Sequence, residues 1–148
     1  MNFKTLFQSS RPINVGLIGM GAFGGSFLFQ AQAVPGLEVV AVCDRQVDIA
    51  RQACLRIGLL EAKLAICSSE AEAQSAIKAG QTAIVEDAAL MMSLPLEVVV
   101  EATGMPEAGA RHGNMAIEQG KHVVMVSKEV DSVAAPYFRF MDAAKSSR

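Results

Sequence analysis

From Ile13 the chain runs through an apolar stretch, Val15-Gly16-Leu17-Ile18, straight into Gly19-Met20-Gly21-Ala22-Phe23-Gly24, and a helical pattern opens at once behind it. That order of residues leaves a narrow choice of folds. A short apolar run suits a strand buried on both faces of a parallel sheet. Each glycine of the following G-x-G-x-x-G then answers a steric demand. Gly19 permits the sharp turn, Gly21 lets the backbone approach an anion, and Gly24 lets the helix pack closely on the strand. The free N–H groups of the helix start point toward the anion. With Met20, Ala22 and Phe23 completing the turn, the block predicts the pyrophosphate cradle of a dinucleotide-binding domain.

The flanking residues agree. Phe23, Phe27, Ala31 and Val34 recur at helical spacing and predict the buried face of the helix, which Pro35-Gly36 stops. Leu37-Glu38-Val39-Val40-Ala41-Val42-Cys43 supplies a second strand ending at Asp44. Asp44 follows Gly19 by 44 − 19 = 25 residues, near the spacing of a carboxylate that accepts hydrogen bonds from an adenosine ribose. Arg45 beside it is suited instead to a ribose 2′-phosphate. The residues therefore leave NAD and NADP both open and predict use of either.

Composition narrows the partners. Thirteen Lys and Arg against 15 Asp and Glu give a net charge of −2, without the basic surplus that nucleic acid requires. Although 51% of the residues are hydrophobic and the mean hydropathy is +0.32, no apolar stretch approaches the roughly 20 residues of a membrane span. The surplus points to an interface, including that of a homo-oligomer. Residues 1–11 read as an N-terminal extension without a secretory h-region, so the expected location is the cytoplasm. Cys43, Cys54 and Cys67 show no C-x-x-C pairing, and His112 and His122 lack a second histidine at ligand spacing, so no metal site is expected. His112 shares a helical face with Ala108, Met115 and Ala116, which suits either a packing residue or one beside the cofactor.

Beyond Asp44 the pattern keeps alternating in the manner of a Rossmann-type, doubly wound, mostly parallel α/β sheet. Val47, Ala50, Cys54 and Ile57 mark a helical face stopped by Gly58. Leu59–Gln81 reads as an inserted helical pair, its second member opening on the capping box Ser69-Glu70-Ala71-Glu72 and ending at Gly80. Thr82–Val85 is the expected third strand, and a short helix over Asp87–Ser93 follows it. Leu96–Gly104 is β-rich and places Ala102, Thr103 and Gly104 at a strand's carboxyl end, where the second half of a dinucleotide lies. Pro106 starts a helix that Gly120 ends, and a last strand over Lys121–Val126 delivers Ser127-Lys128-Glu129 to the same edge. Lys128 there reads either as a surface lysine of a solvated loop or as a cofactor-binding ammonium near the nicotinamide ribose or the substrate, where it can stabilise an anion.

Gly19-Met20-Gly21-Ala22-Phe23-Gly24, Glu101-Ala102-Thr103-Gly104 and Gly120-Lys121-His122-Val123-Val124 with Ser127-Lys128-Glu129 together resemble the nucleotide-binding domain of the homoserine dehydrogenase superfamily. Within it, Ser127-Lys128-Glu129-Val130-Asp131 is most similar to the deoxyxylulose-phosphate-reductoisomerase-like oxidoreductases. The resemblance covers most of Pro12–Val133. It implies nicotinamide-dependent oxidoreduction, with Gly19, Gly21 and Gly24 at the pyrophosphate and Thr103 and Gly104 beside the nicotinamide. Lys128 matches the lysine of the family's Asn-Lys motif and is the catalytic candidate. Ser127 stands where homoserine dehydrogenases usually carry Asn, which leaves the small-molecule substrate of the full-length protein open. Residues 12–133 are thus expected to form the dinucleotide-binding domain. Residues 134–148 would start the helix that leads to a catalytic and dimerisation domain not present in the chain. The alternatives are a noncatalytic nucleotide-binding or redox-sensing module and, further off, an adenosylmethionine-dependent methyltransferase, which the third glycine disfavours.

Overall fold

The computed structural model describes residues 11–146, so the expected N-terminal extension lies, Arg11 apart, outside the described residues. Six strands alternate with six helices. In chain order they are β1 (Ile13–Ile18), α1 (Ala22–Ala31), β2 (Leu37–Cys43), α2 (Val47–Arg56), β3 (Leu64–Ile66), α3 (Glu70–Lys78), β4 (Thr82–Val85), α4 (Ala88–Met92), β5 (Val98–Glu101), α5 (Pro106–Glu118), β6 (His122–Met125) and α6 (Lys128–Ser146). The strands form one sheet in the order β3-β4-β2-β1-β5-β6, and every described pairing is parallel.

Successive residues of a strand point to opposite faces, so both faces of the sheet are built from the same apolar runs. Leu17, Val42, Ile84 and Val100 bury one face together with Leu28 of α1 and Ala50 and Cys54 of α2. Ile18, Cys43, Val85 and Val99 bury the other with Ala73 of α3, Met91 of α4 and Ala116 of α5. Met91 and Met92 of α4 are buried in the core. α6 packs against α5 and β6. Small residues allow the close approach: a Cβ on Gly113 would meet the Phe138 ring at 2.8 Å, and one on Gly109 would meet Val130 at 3.0 Å.

Three local expectations need correction. The stretch Leu59–Gln81 is not a helical pair but a 3-10 turn at Glu61–Lys63, the edge strand β3 and then α3. Thr82–Val85 is consequently the fourth strand in the chain. In α1 the buried face is Gly24, Leu28 and Ala31. Phe23 is 50% exposed and Val34, beyond the helix end, 48%. The capping box of α3 forms and extends one residue back: the Ser69 hydroxyl accepts the Glu72 N–H, while the Glu72 carboxylate accepts the N–H and hydroxyl of Ser68. No helix among the described residues is long and apolar enough to cross a membrane.

Candidate functional site

Strand order reverses around β1, which has β2 on one side and β5 on the other. A doubly wound sheet opens a crevice at such a point, outside the carboxyl ends of its strands. Two backbone bonds carry the parallel ladder past the ends of β1 and β5: Gly19 N–H donates to the Cys43 carbonyl and Ala102 N–H to the Ile18 carbonyl, both at 2.8 Å. They fix the first glycine between the tips of β2 and β5.

The three glycines divide the labour as their spacing predicts. Gly19 has φ +94°, the left-handed region that favours glycine, and a Cβ there would stand 2.8 Å from the Ala102 carbonyl. A Cβ on Gly24 would collide with the Gly19 carbonyl oxygen, so the helix rests directly on the turn. Gly21 has nothing within 4 Å of where its Cβ would be. It is the N-cap of α1, no side chain caps the helix, and the first turn carries no acidic residue. The N–H groups there are left facing open space, with no acidic side chain of the first turn to compete for them.

That space is a cleft of about 910 Å³. Gly19, Gly21, Asp44, Arg45, Ala102 and Thr103 line it, joined on one side by Gln46 and Ser68 and on the other by Met105, Arg111 and His112. Met20, Ala22, Phe23, Gly24 and Gly104 do not line it. They shape the turns behind it, Gly104 with φ +68° at the exit from β5. Lys128 also lies outside the cleft lining, exposed at the first position of α6. Ser127, just before it, is buried, its hydroxyl donating to Glu129 at 3.2 Å.

Asp44 is tied on both oxygens. Oδ2 accepts the Met20 N–H and Oδ1 the Gln46 N–H, each at 2.9 Å. The carboxylate thereby braces the glycine turn while still facing the cleft. Cys43 and Cys67 also line it, and all three cysteines are free and buried. Burial, with the carboxylates of Asp44, Asp87 and Glu86, pushes the Cys43 thiol up to about 12, so it is not a thiolate nucleophile at neutral pH.

Sequence reasoning missed one feature of this wall. Glu101, the last residue of β5, is 0% exposed, and its Oε1 gathers three donors. These are the Thr103 hydroxyl at 2.5 Å, the Thr103 N–H at 3.3 Å and His112 Nδ1 at 3.3 Å. Burial raises the carboxyl, but the hydrogen bonds from His112 and Thr103 outweigh it and hold Glu101 below its ordinary value. Thr103 Oγ1 in turn accepts the Met105 N–H at 3.2 Å, so its hydroxyl is fully engaged in the turn. The available signal was a carboxylate ending a strand, with a histidine eleven residues later on the helix that returns over it.

A parallel doubly wound sheet whose glycine cradle opens at the reversal of strand order defines a dinucleotide-binding domain of the dehydrogenase type. The chain belongs to the homoserine dehydrogenase NAD-binding domain family, whose model matches residues 19–148. It is 28% identical over 138 residues to a homoserine dehydrogenase of Methylobacillus glycogenes, a match covering 93% of the chain and 30% of that protein. The fold is shared with a homoserine dehydrogenase of Thiobacillus denitrificans at a TM-score of 0.63 and 22% identity, covering 92% of this chain and 28% of the other. A 3-ketoreductase from Actinomadura kijaniata, solved with NADP, aligns at a TM-score of 0.62 and 22% identity over 90% of this chain and 36% of the other. The chain thus spans about a third or less of these relatives.

Proposed function

We propose that the chain is the cofactor-holding part of a nicotinamide-dependent oxidoreductase and that it accepts NAD and NADP alike. The observation that carries this reading is the open space at Gly21. A dinucleotide pyrophosphate there would receive the uncapped N–H groups of α1, and the residues present fit it. Asp44 and Arg45 share the adenosine side of the cleft, the carboxylate suited to a free 2′-hydroxyl and the guanidinium to a 2′-phosphate. Ala102 and Thr103 flank the nicotinamide half, with Gly104 shaping the turn behind them. When bound, the cofactor supplies or removes a hydride; the chain's own residues bind and orient it.

Lys128 is the catalytic candidate, an ammonium near the strand edge that stabilises negative charge on a substrate oxygen. The Ser127-Lys128-Glu129-Val130-Asp131 block favours the reductoisomerase-like branch of the family. Residues 12–133 form the dinucleotide-binding domain in this reading, with α6 leading from it toward the substrate domain of the full-length protein. Three unpaired buried thiols fit a reducing compartment and thus the cytoplasm. Exposed Phe23, Phe29 and Val34 suit an interface, including one between copies of the chain.

Calorimetry with NAD and NADP tests the reading. Wild-type chain binds both below about 1 mM, and Gly21→Val abolishes binding of both while circular dichroism stays unchanged, since the new side chain fills ligand space and not core. A folded wild type that binds neither cofactor overturns it.

A further inference from the structure

Resting on the proposed cofactor site, we infer that His112 is a direct ligand of the nicotinamide-riboside half of the dinucleotide and that Glu101 is the residue that positions it. Four polar side chains sit near this wall of the cleft. Glu101 is sealed beneath the surface, and the Thr103 hydroxyl donates to Glu101 while accepting from Met105. Arg111 lines the cleft but is exposed. Thr103 is at the cleft with its hydroxyl already engaged, whereas His112 is at the cleft, held in place and has a second ring nitrogen, its side chain 15% exposed and its Nδ1 bonded to Glu101 at 3.3 Å.

The carboxylate decides which nitrogen is available. Glu101 is depressed below its ordinary value and so is ionised at neutral pH, and an ionised acceptor opposite Nδ1 selects the tautomer with its proton on Nδ1. Nε2 is left as an acceptor with no partner among the described residues. Across the glycine turn, the side of the cleft next to β5 receives the half of a dinucleotide that carries the nicotinamide. That half offers hydrogen-bond donors in its ribose hydroxyls and its carboxamide. Glu101 also carries a buried second oxygen, Oε2, without a partner. It is enclosed by Gly109, whose added Cβ would lie 3.1 Å away. A charged group so deeply enclosed serves to fix the two neighbours that reach the cleft, Thr103 and His112, and of these His112 keeps a ring nitrogen for a ligand.

Imidazole ¹H–¹⁵N spectra of the wild-type chain test this with two probes, NADH and ADP, the second lacking the nicotinamide riboside. The chain has two histidines, and His122, exposed at the opposite end of the sheet as the first residue of β6, serves as the internal control. NADH shifts the His112 Nε2 resonance, ADP leaves it in place, and His122 moves with neither. Calorimetry on two variants separates contact from packing. His112→Asn keeps an atom at the Nδ1 position but none at Nε2, and it weakens NADH by about tenfold while sparing ADP. His112→Gln, which restores a polar atom at the Nε2 position, recovers most of that loss. If NADH and ADP bind the wild type while His112 stays silent, this inference is overturned and the cofactor site stands. Equal weakening of NADH and ADP by His112→Asn makes the residue structural. Failure of both ligands to bind the folded wild type overturns the site itself, and this inference with it.

Discussion

The carboxylate of Asp44 at the end of β2 accepts the backbone N–H of Met20, in the middle of the glycine turn, at 2.9 Å. One side chain therefore braces the glycine turn from behind and, in the proposed function, also presents an acceptor to the ribose from the front. Asp44→Ser separates them. Loss of the bond to Met20 costs about 1 kcal/mol of stability, read in thermal or denaturant melts. Loss of the ribose acceptor weakens NAD by roughly tenfold and NADP less, since the repulsion of a 2′-phosphate goes with it. An unchanged NAD/NADP affinity ratio would reduce Asp44 to a brace.

Gly24 and Gly21 respond to substitution in opposite ways. A methyl group at Gly24 has no room above the Gly19 carbonyl, and the obstacle is backbone, not a flexible side chain. Gly24→Ala must lift α1 off β1, at about 1–3 kcal/mol, and lowers Tm by several degrees even without cofactor. Gly21→Ala, facing empty space, leaves Tm within about a degree and shows its defect only in cofactor affinity. A Gly24→Ala protein as stable as wild type would mean that the helix does not rest on the turn as described.

Lys128 begins α6 outside the cleft lining. Lys128→Ala should therefore change NAD and NADP affinity of this chain by less than about twofold. In a full-length relative carrying the same block, kcat/KM should fall by roughly a hundredfold or more. Parallel losses in affinity and turnover would make the lysine a cofactor ligand instead.

Glu101 makes the fold acid-sensitive. Its carboxyl is depressed in the native protein, so the stability it contributes is present above the ordinary carboxylate value of 4.5 and is lost as pH falls through the native value. Denaturant melts at pH 7 and pH 3.5 should show the wild type losing stability on acidification. Glu101→Gln, already weaker at pH 7 by about 1–3 kcal/mol, should show a smaller difference. An identical acid response in the two proteins would place the sensitivity elsewhere, with Glu97, also depressed and paired with Arg11, as the next candidate.

The sharp turn at Gly19 and the close helix packing at Gly24 were legible because both sit at fixed offsets in one contiguous block, and sterics demand glycine there. β3 was not. It is three residues long at the sheet edge, with Leu64 buried, Ala65 half-buried and Ile66 50% exposed, too short for a period of two to stand out. The apolar face of α1 was misassigned because Phe23 and Val34 keep helical spacing with residues that are buried, although neither is covered. The Glu101–His112 pair needs the return of α5 over β5 to bring its members together. A sequence shows them only as an isolated acid and an isolated histidine.

The register of the central strand also sets a schedule. Val15 pairs with Val39 on one side and with Val98 on the other, a separation of 98 − 15 = 83 residues. During synthesis β1, β2 and the glycine turn leave the ribosome long before the strand that walls off the turn at Ala102. Until β5 emerges, one edge of β1 has no partner and the cleft has one wall. A nascent chain halted before Leu96 should thus expose an unpaired apolar strand and depend on chaperones, and cofactor can assist folding only after β5 has docked.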